Sequence, residues 1–286
     1  MSPLQNNLAF VGALITCLLI GGCGSTASRP PSPALEAARA QNEAGTRALD
    51  TGNAAGALAL YRESLASAQS IEDYDLAGAN LLNIALIHAQ LGQWADAHGA
   101  VDRLIATPQR FGASHGARAA ARKALIHLDE GNAPAALRWA DTAERDCVAP
   151  CTFLAALENL RAHLALEQGQ TDIAIRHSTR AAELAASPTL ESERAGAWRL
   201  QGRAFTRTGR TSEASQVLTN ALELDRRLGL NPAIALDLVY LGDNQARSGA
   251  AAEARAFYER AMDVYAAASN SRGVDAVRLR VDALPR

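Results

Sequence analysis

Few residues in this chain have side chains suited to chemistry. Two of its four cysteines stand in Asp146-Cys147-Val148-Ala149-Pro150-Cys151. In an oxidising compartment such a pair is expected to form a disulfide. An unbroken helix would hold the thiols badly, whereas the turn that Pro150 favours can bring the Cα atoms to about 5.5 Å. The loop so closed is tiny, so its stabilisation is local, and it would pin the angle between the segments on either side. Two other readings stay open. A redox pair normally has two residues between its cysteines, and this one has three. A metal site would need further ligands, and no histidine pair stands near these cysteines in sequence.

The six histidines, His88, His98, His115, His127, His163 and His177, are scattered. His88 and His127 fall at one place in a repeating frame, which marks them as packing between helices. No phosphate-cradling glycine loop, no G-x-S-x-G and no H-E-x-x-H occurs. Carboxylates such as Glu191, Glu193, Glu213 and Glu253 fall on faces expected to be solvated. The chain reads as non-catalytic, with no metal, no cofactor and no small-molecule substrate.

The elements behind these residues are set by a recurring glycine. Gly52, Gly92, Gly131, Gly169, Gly209 and Gly249 follow one another at intervals of 38 to 40 residues. Five residues after each comes alanine: Ala57, Ala97, Ala136, Ala174, Ala214 and Ala254. Seven before each is a tiny residue: Gly45, Ala85, Ala124, Ala162, Gly202 and Gly242. Apolar residues recur at helical spacing on both sides of each glycine. The glycine suits a left-handed C-cap, and Asn53 or Asn132 just after it suits an N-cap. Each unit is then a helical hairpin whose small residues let two backbones approach. A lone hairpin cannot bury its apolar face, so units must stack.

This frame resembles the tetratricopeptide repeat family. The best unit reads Trp198, Gly202, Phe205, Gly209, Ala214, Leu218 and Ala221, and the last reads Leu238, Leu241, Gly242, Gly249, Ala254, Tyr258 and Ala261. The resemblance covers residues 36–269. The period is near 40 where the family usually has about 34. Most units lack the large aromatic of the first helix, having Ala48, His88, His127, Ala165 and Gln245 instead. The resemblance implies an all-α, right-handed superhelical solenoid of about six hairpins. The amphipathic stretch Val274 to Leu284 would cap its C-terminal end.

The resemblance also implies a concave groove lined by first helices, which binds proteins or peptides. Its polar residues here are Asn83, Arg118, Arg122, Asn159, His163, Arg199 and Arg203. Asn83, Arg118 and Arg122 match three of the five positions of the family's carboxylate clamp. The other two fall on Asn42 and Thr46, where the family has lysine and asparagine. Arginine suits a carboxylate because its planar fork matches two oxygens at once.

The N-terminus belongs to a different argument. Leu8 to Ile20 is an apolar run of 13 residues, short for a membrane span and right for a signal core. It ends in Ile20-Gly21-Gly22-Cys23, which looks like a bacterial lipobox with Cys23 as the lipidated thiol. Several acyl chains, each worth about 0.8 kcal/mol per buried CH₂, make such an anchor stable. Gly24 and Ser25, with no Asp there, favour by resemblance the outer membrane of a Gram-negative envelope, facing the periplasm. The expected organisation is a signal over 1–22, a lipidated cysteine and Ser/Pro-rich tether over 23–33, and a solenoid over 34–286.

Alanine is abundant and only 5% of residues are aromatic, which fits close helix packing. A formal net charge of −2 over 286 residues gives no footprint for nucleic acid. The reading is a membrane-anchored scaffold of the cell envelope. Alternatives are a pilotin-like or outer-membrane assembly lipoprotein, and a regulator of a periplasmic cell-wall enzyme.

Overall fold

The computed structural model describes residues 32–285. The expected signal, Cys23 and nearly all of the tether lie outside those residues. Among the described residues there are fourteen α-helices and no strand. They pair as α1 (Pro33–Asp50) with α2 (Ala54–Ser70), α3 (Tyr74–Gln90) with α4 (Trp94–Ala106), and α6 (Ala113–Asp129) with α7 (Ala133–Arg145). Then come α8 (Leu154–Glu167) with α9 (Thr171–Leu184), α10 (Glu191–Arg207) with α11 (Thr211–Leu228), and α12 (Asn231–Arg247) with α13 (Ala251–Ala267). A short α5 (Pro108–Phe111) follows α4, and α14 (Ser271–Asp282) ends the stack. No described helix is long and apolar enough to cross a membrane.

All six hinge glycines are left-handed, with φ between +68° and +86°. In every hairpin the N–H after the glycine donates to the carbonyl four before it, at 2.8–2.9 Å, as in Gln93 to His88 and Arg210 to Phe205. The glycine N–H itself reaches the carbonyl three before, at 2.9–3.2 Å. These bonds satisfy carbonyls that the helix end would leave open. Asn53 and Asn132 then cap the second helix by accepting from the N–H groups of Gly56 and Ala135.

A second left-handed ladder stands twenty residues after four of the hinges, at or just beyond the end of the second helix. It comprises Glu72, Gly112, Gly229 and Ser269. In the two remaining units the same place falls on Cys151, in the loop between α7 and α8, and on Thr189, in the 3₁₀ turn Pro188–Leu190. Sequence alone missed this ladder because only two of its members are glycine. Pro108, expected simply to end a unit, instead opens α5, where its missing N–H costs nothing. That short helix buries Phe111, which meets Tyr74 edge-on at 6.0 Å. Cys147 and Cys151 are bonded through sulfur, with Cα atoms 6.1 Å apart.

The small residues lie where the helices cross. All six alanines five after the hinge are fully buried. A Cβ added at Gly45, Gly202 or Gly242 would press into Tyr61, Leu218 or Tyr258, each nine residues after its own hinge. Where the earlier position is Ala85, Ala124 or Ala162, the matching residue is smaller: Val101, Ala140 or Ser178. Bulk taken from one helix is returned by the other, which keeps the core close-packed.

Neighbouring hairpins meet in an asymmetric way. Each second helix packs on the following first helix, as α2 on α3 and α9 on α10. First helices also touch one another, α3 with α6, α8 with α10, and α10 with α12, whereas second helices make no comparable contact. The first helices are therefore the inner layer of the stack. The α14 cap buries Val277 and leaves Leu279 exposed.

Candidate partner-binding groove

The inner layer carries a continuous trough. One cleft of about 240 Å³ is walled by Leu82, Asn83, Arg118, Arg122, Phe153 and Leu157, with Glu193 at its rim. It adjoins another of about 380 Å³, lined by Leu128, Asn159, Leu160, His163, Leu200 and Arg203 among others. Leu125, Ala156 and Glu193 border both. A third cleft of about 370 Å³ continues from Arg203 and Tyr240 to Arg207, Arg247 and Arg280. All seven residues expected in the groove, Asn83, Arg118, Arg122, Asn159, His163, Arg199 and Arg203, line these clefts. Their roles differ.

The difference follows from one register. Ten residues before the hinges Gly52 and Gly209, a polar side chain meets the residue twelve before the next hinge. Asn42 meets Asn80 there, with its amide donating to Asn80 Oδ1 at 2.9 Å. Arg199 likewise meets Asp237, with Nε to Oδ1 at 2.6 Å. Asn159 holds the same place, but the facing position is Ala197, and Arg122 stands one residue off this register, nine before its hinge. Ala197 cannot answer a polar group. Arg118 and Arg122 make no hydrogen bond or ion pair among the described residues. Asn159 donates to the carbonyl of Glu193 at 2.8 Å, yet its Oδ1 is buried with no partner.

Electrostatics sharpen this contrast. Burial lowers the pKa of Arg122, and the neighbouring Arg118 charge lowers it further. Burial likewise depresses His163, helped by Arg203, which favours a neutral imidazole. Asp129 is raised by burial against the pull of Arg122. Arg203 stacks on Tyr240 at 5.0 Å and reaches Glu167 at 3.3 Å. The middle of the trough thus offers a desolvated cation and an unanswered amide oxygen between apolar walls. Charge-assisted bonds are strongest in such a setting.

Four expectations change. Arg199 belongs to the architecture: its guanidinium is bonded to the buried carboxylates of Asp225 and Asp237. Burial pushes Asp237 up to about 7 despite Arg199, and Asp225 is also raised. Asn42 and Thr46, two of the five clamp positions, are engaged internally with Asn80 and the hydroxyl of Tyr61. The histidines are not all scattered, since stacking brings His98 and His127 to the same carboxylate, Glu130. Glu191 and Glu193, expected on solvated faces, are half-buried. The buried aspartates were missed; Asp237, 38 residues from Arg199 and so about one period away, was a readable signal, whereas Asp225, 26 residues away, was not.

The sequence profile of the tetratricopeptide repeat matches residues 82–147 and 159–227. No curated protein matches the sequence. Among solved structures, a Rap protein complexed with competence and sporulation factor is 17% identical with a TM-score of 0.61. That match covers 85% of this chain and 69% of the other. Aspartyl phosphate phosphatase F from Bacillus subtilis is 13% identical with a TM-score of 0.58, covering 87% and 70%. A signal transduction ATPase from Pyrococcus horikoshii, described as having a tetratricopeptide repeat sensor, is 11% identical with a TM-score of 0.63. This chain spans only 37% of that one. At these identities the likeness is one of fold.

Proposed function

We propose that this tetratricopeptide repeat protein is a non-catalytic scaffold that grips an extended, acidic segment of another protein along its inner groove. The observation that carries this reading is Arg122, without a hydrogen bond or ion pair among the described residues, beside the buried and unpartnered Oδ1 of Asn159 in adjoining clefts with apolar walls. Leaving such groups unpaired costs stability unless a ligand completes them. A carboxylate beside apolar side chains would pair with Arg118 and Arg122 while its neighbours fill the space between Leu125, Phe153 and Leu157. A peptide amide N–H would satisfy Asn159 Oδ1. Fold alone does not choose a ligand, so the reading rests on this cleft.

The lipobox-like Cys23 supports the rest of the reading: a lipid-anchored protein of the bacterial envelope, at the outer membrane and facing the periplasm. The decisive experiment is crosslinking in the native envelope with the Arg118→Glu/Arg122→Glu chain beside the natural one. Partner capture is expected to fall at least about tenfold while the helical spectrum is unchanged, as for loss of a buried charge-assisted contact. Equal capture by both chains would overturn the groove assignment. Separately, Cys23→Ser is expected to move the protein from the membrane to the soluble fraction, and unchanged fractionation would remove the anchor.

A further inference from the structure

We propose that His98, His127 and Glu130 form a binding site for a divalent transition-metal ion of the zinc class, set between the second and third hairpins. His98 stands on α4, His127 near the end of α6, and Glu130 just past that end. The two helices run antiparallel. One turn away in the same register, Asp102 of α4 is ion-paired with Lys123 of α6.

The geometry suits a metal. Nε2 of His98 lies 3.0 Å from Oε1 of Glu130, and Nδ1 of His127 lies 2.8 Å from Oε2. All three ligand atoms lie within 4.8 Å of one another, and the imidazole centroids are 4.5 Å apart. Ligands bound at about 2.0–2.2 Å in a tetrahedron stand a little over 3 Å apart, so small rotamer shifts would seat the ion. Three protein ligands leave a fourth position for water or a partner's side chain. Two imidazoles and one carboxylate are a donor set that zinc, cobalt, nickel and copper accept.

Charge and placement agree. The Glu130 carboxylate brings one negative charge to the cluster, which a divalent ion offsets. The side chains of His98, His127 and Glu130 are 20%, 15% and 21% exposed, so they are held in packing while an entry path remains. Nδ1 of His98 is buried without an acceptor. That ligand lacks support from behind, which sets affinity about 10- to 100-fold below that of a braced site. With ligands on two hairpins, the ion would tie α4 to α6.

The test uses the mature chain without a histidine tag, stripped by chelator and titrated with Zn²⁺ and with Co²⁺. The expected result is one Zn²⁺ per chain and a visible Co²⁺ ligand-field band. Both should weaken at least about tenfold in Glu130→Gln and in His127→Gln, each with an unchanged helical spectrum. On the natural chain, the ring ¹⁵N signals of His98 and His127 should both shift with Zn²⁺, a readout that needs no substitution. Absence of stoichiometric binding, unmoved His98 and His127 signals, or equal affinity in both variants would overturn the site.

Discussion

At the scale of single residues, the informative features are polar side chains below the surface. Asp225 and Asp237 share one cation, Arg199, so two negative charges face one positive charge. The cluster is neutral only with a proton on the pair, and burial supplies the upward push that keeps one on Asp237 to about pH 7. The unfolded chain releases that proton near the ordinary carboxylate value of 3.8. Between those limits the folded state binds more protons, so stability contributed here is greatest in acid and falls as pH rises toward 7. Asp225, also raised, adds with the same sign. Urea midpoints of the natural chain should therefore drop between pH 5 and pH 8 by more than those of Asp237→Asn, and parallel pH profiles would refute the shared proton. Arg199→Leu at pH 8 strands both carboxylates and should cost about 3–5 kcal/mol. These links span 26 and 38 residues in sequence. Composition cannot show them; only the stacking register can.

At the scale of elements, the hinge glycines and the alanines after them were legible because a backbone requirement leaves one or two residue types that fit. The second left-handed ladder was not, because Glu72 and Ser269 tolerate a conformation that favours glycine. This also yields a measurement. Glu72 has φ of +57° between α2 and α3, and its side chain makes only a marginal 3.5 Å contact with the Tyr74 hydroxyl. Glu72→Gly should relieve the left-handed strain, offset in part by unfolded-state entropy, for a net gain of about 0.5–1 kcal/mol in urea unfolding. A destabilised variant would show that the link is held by something other than backbone conformation. Inter-unit links vary freely in other respects. Helices of 13 or 14 residues in the middle units are followed by α5, the Cys147–Cys151 loop or the 3₁₀ turn, which keep the hinge spacing near constant.

At the scale of the whole molecule, contacts run from each hairpin to its neighbours, so stability should be distributed like that of a one-dimensional array. The end of such an array needs a cover with one apolar and one polar face. Here α14 serves: it buries Val277, lays Gly273 against Tyr265, and sends Arg280 to Asp243 at 3.2 Å. Asp243 in turn accepts from the hydroxyl of Tyr258 at 2.7 Å, linking the cover to the packing of α12 on α13. A chain ending after Asn270 loses this cover and roughly 2 kcal/mol of burial at Val277 alone. If coupling is between neighbours, hydrogen exchange should quicken in α12 and α13, less in α10 and α11, and not measurably in α1 to α4. A uniform acceleration through all helices would instead describe a single cooperative unit. The graded result would also let the cleft at Arg118 and Arg122 keep its partner when the C-terminal hairpin is loosened, because no residue of α12 or α13 lines it.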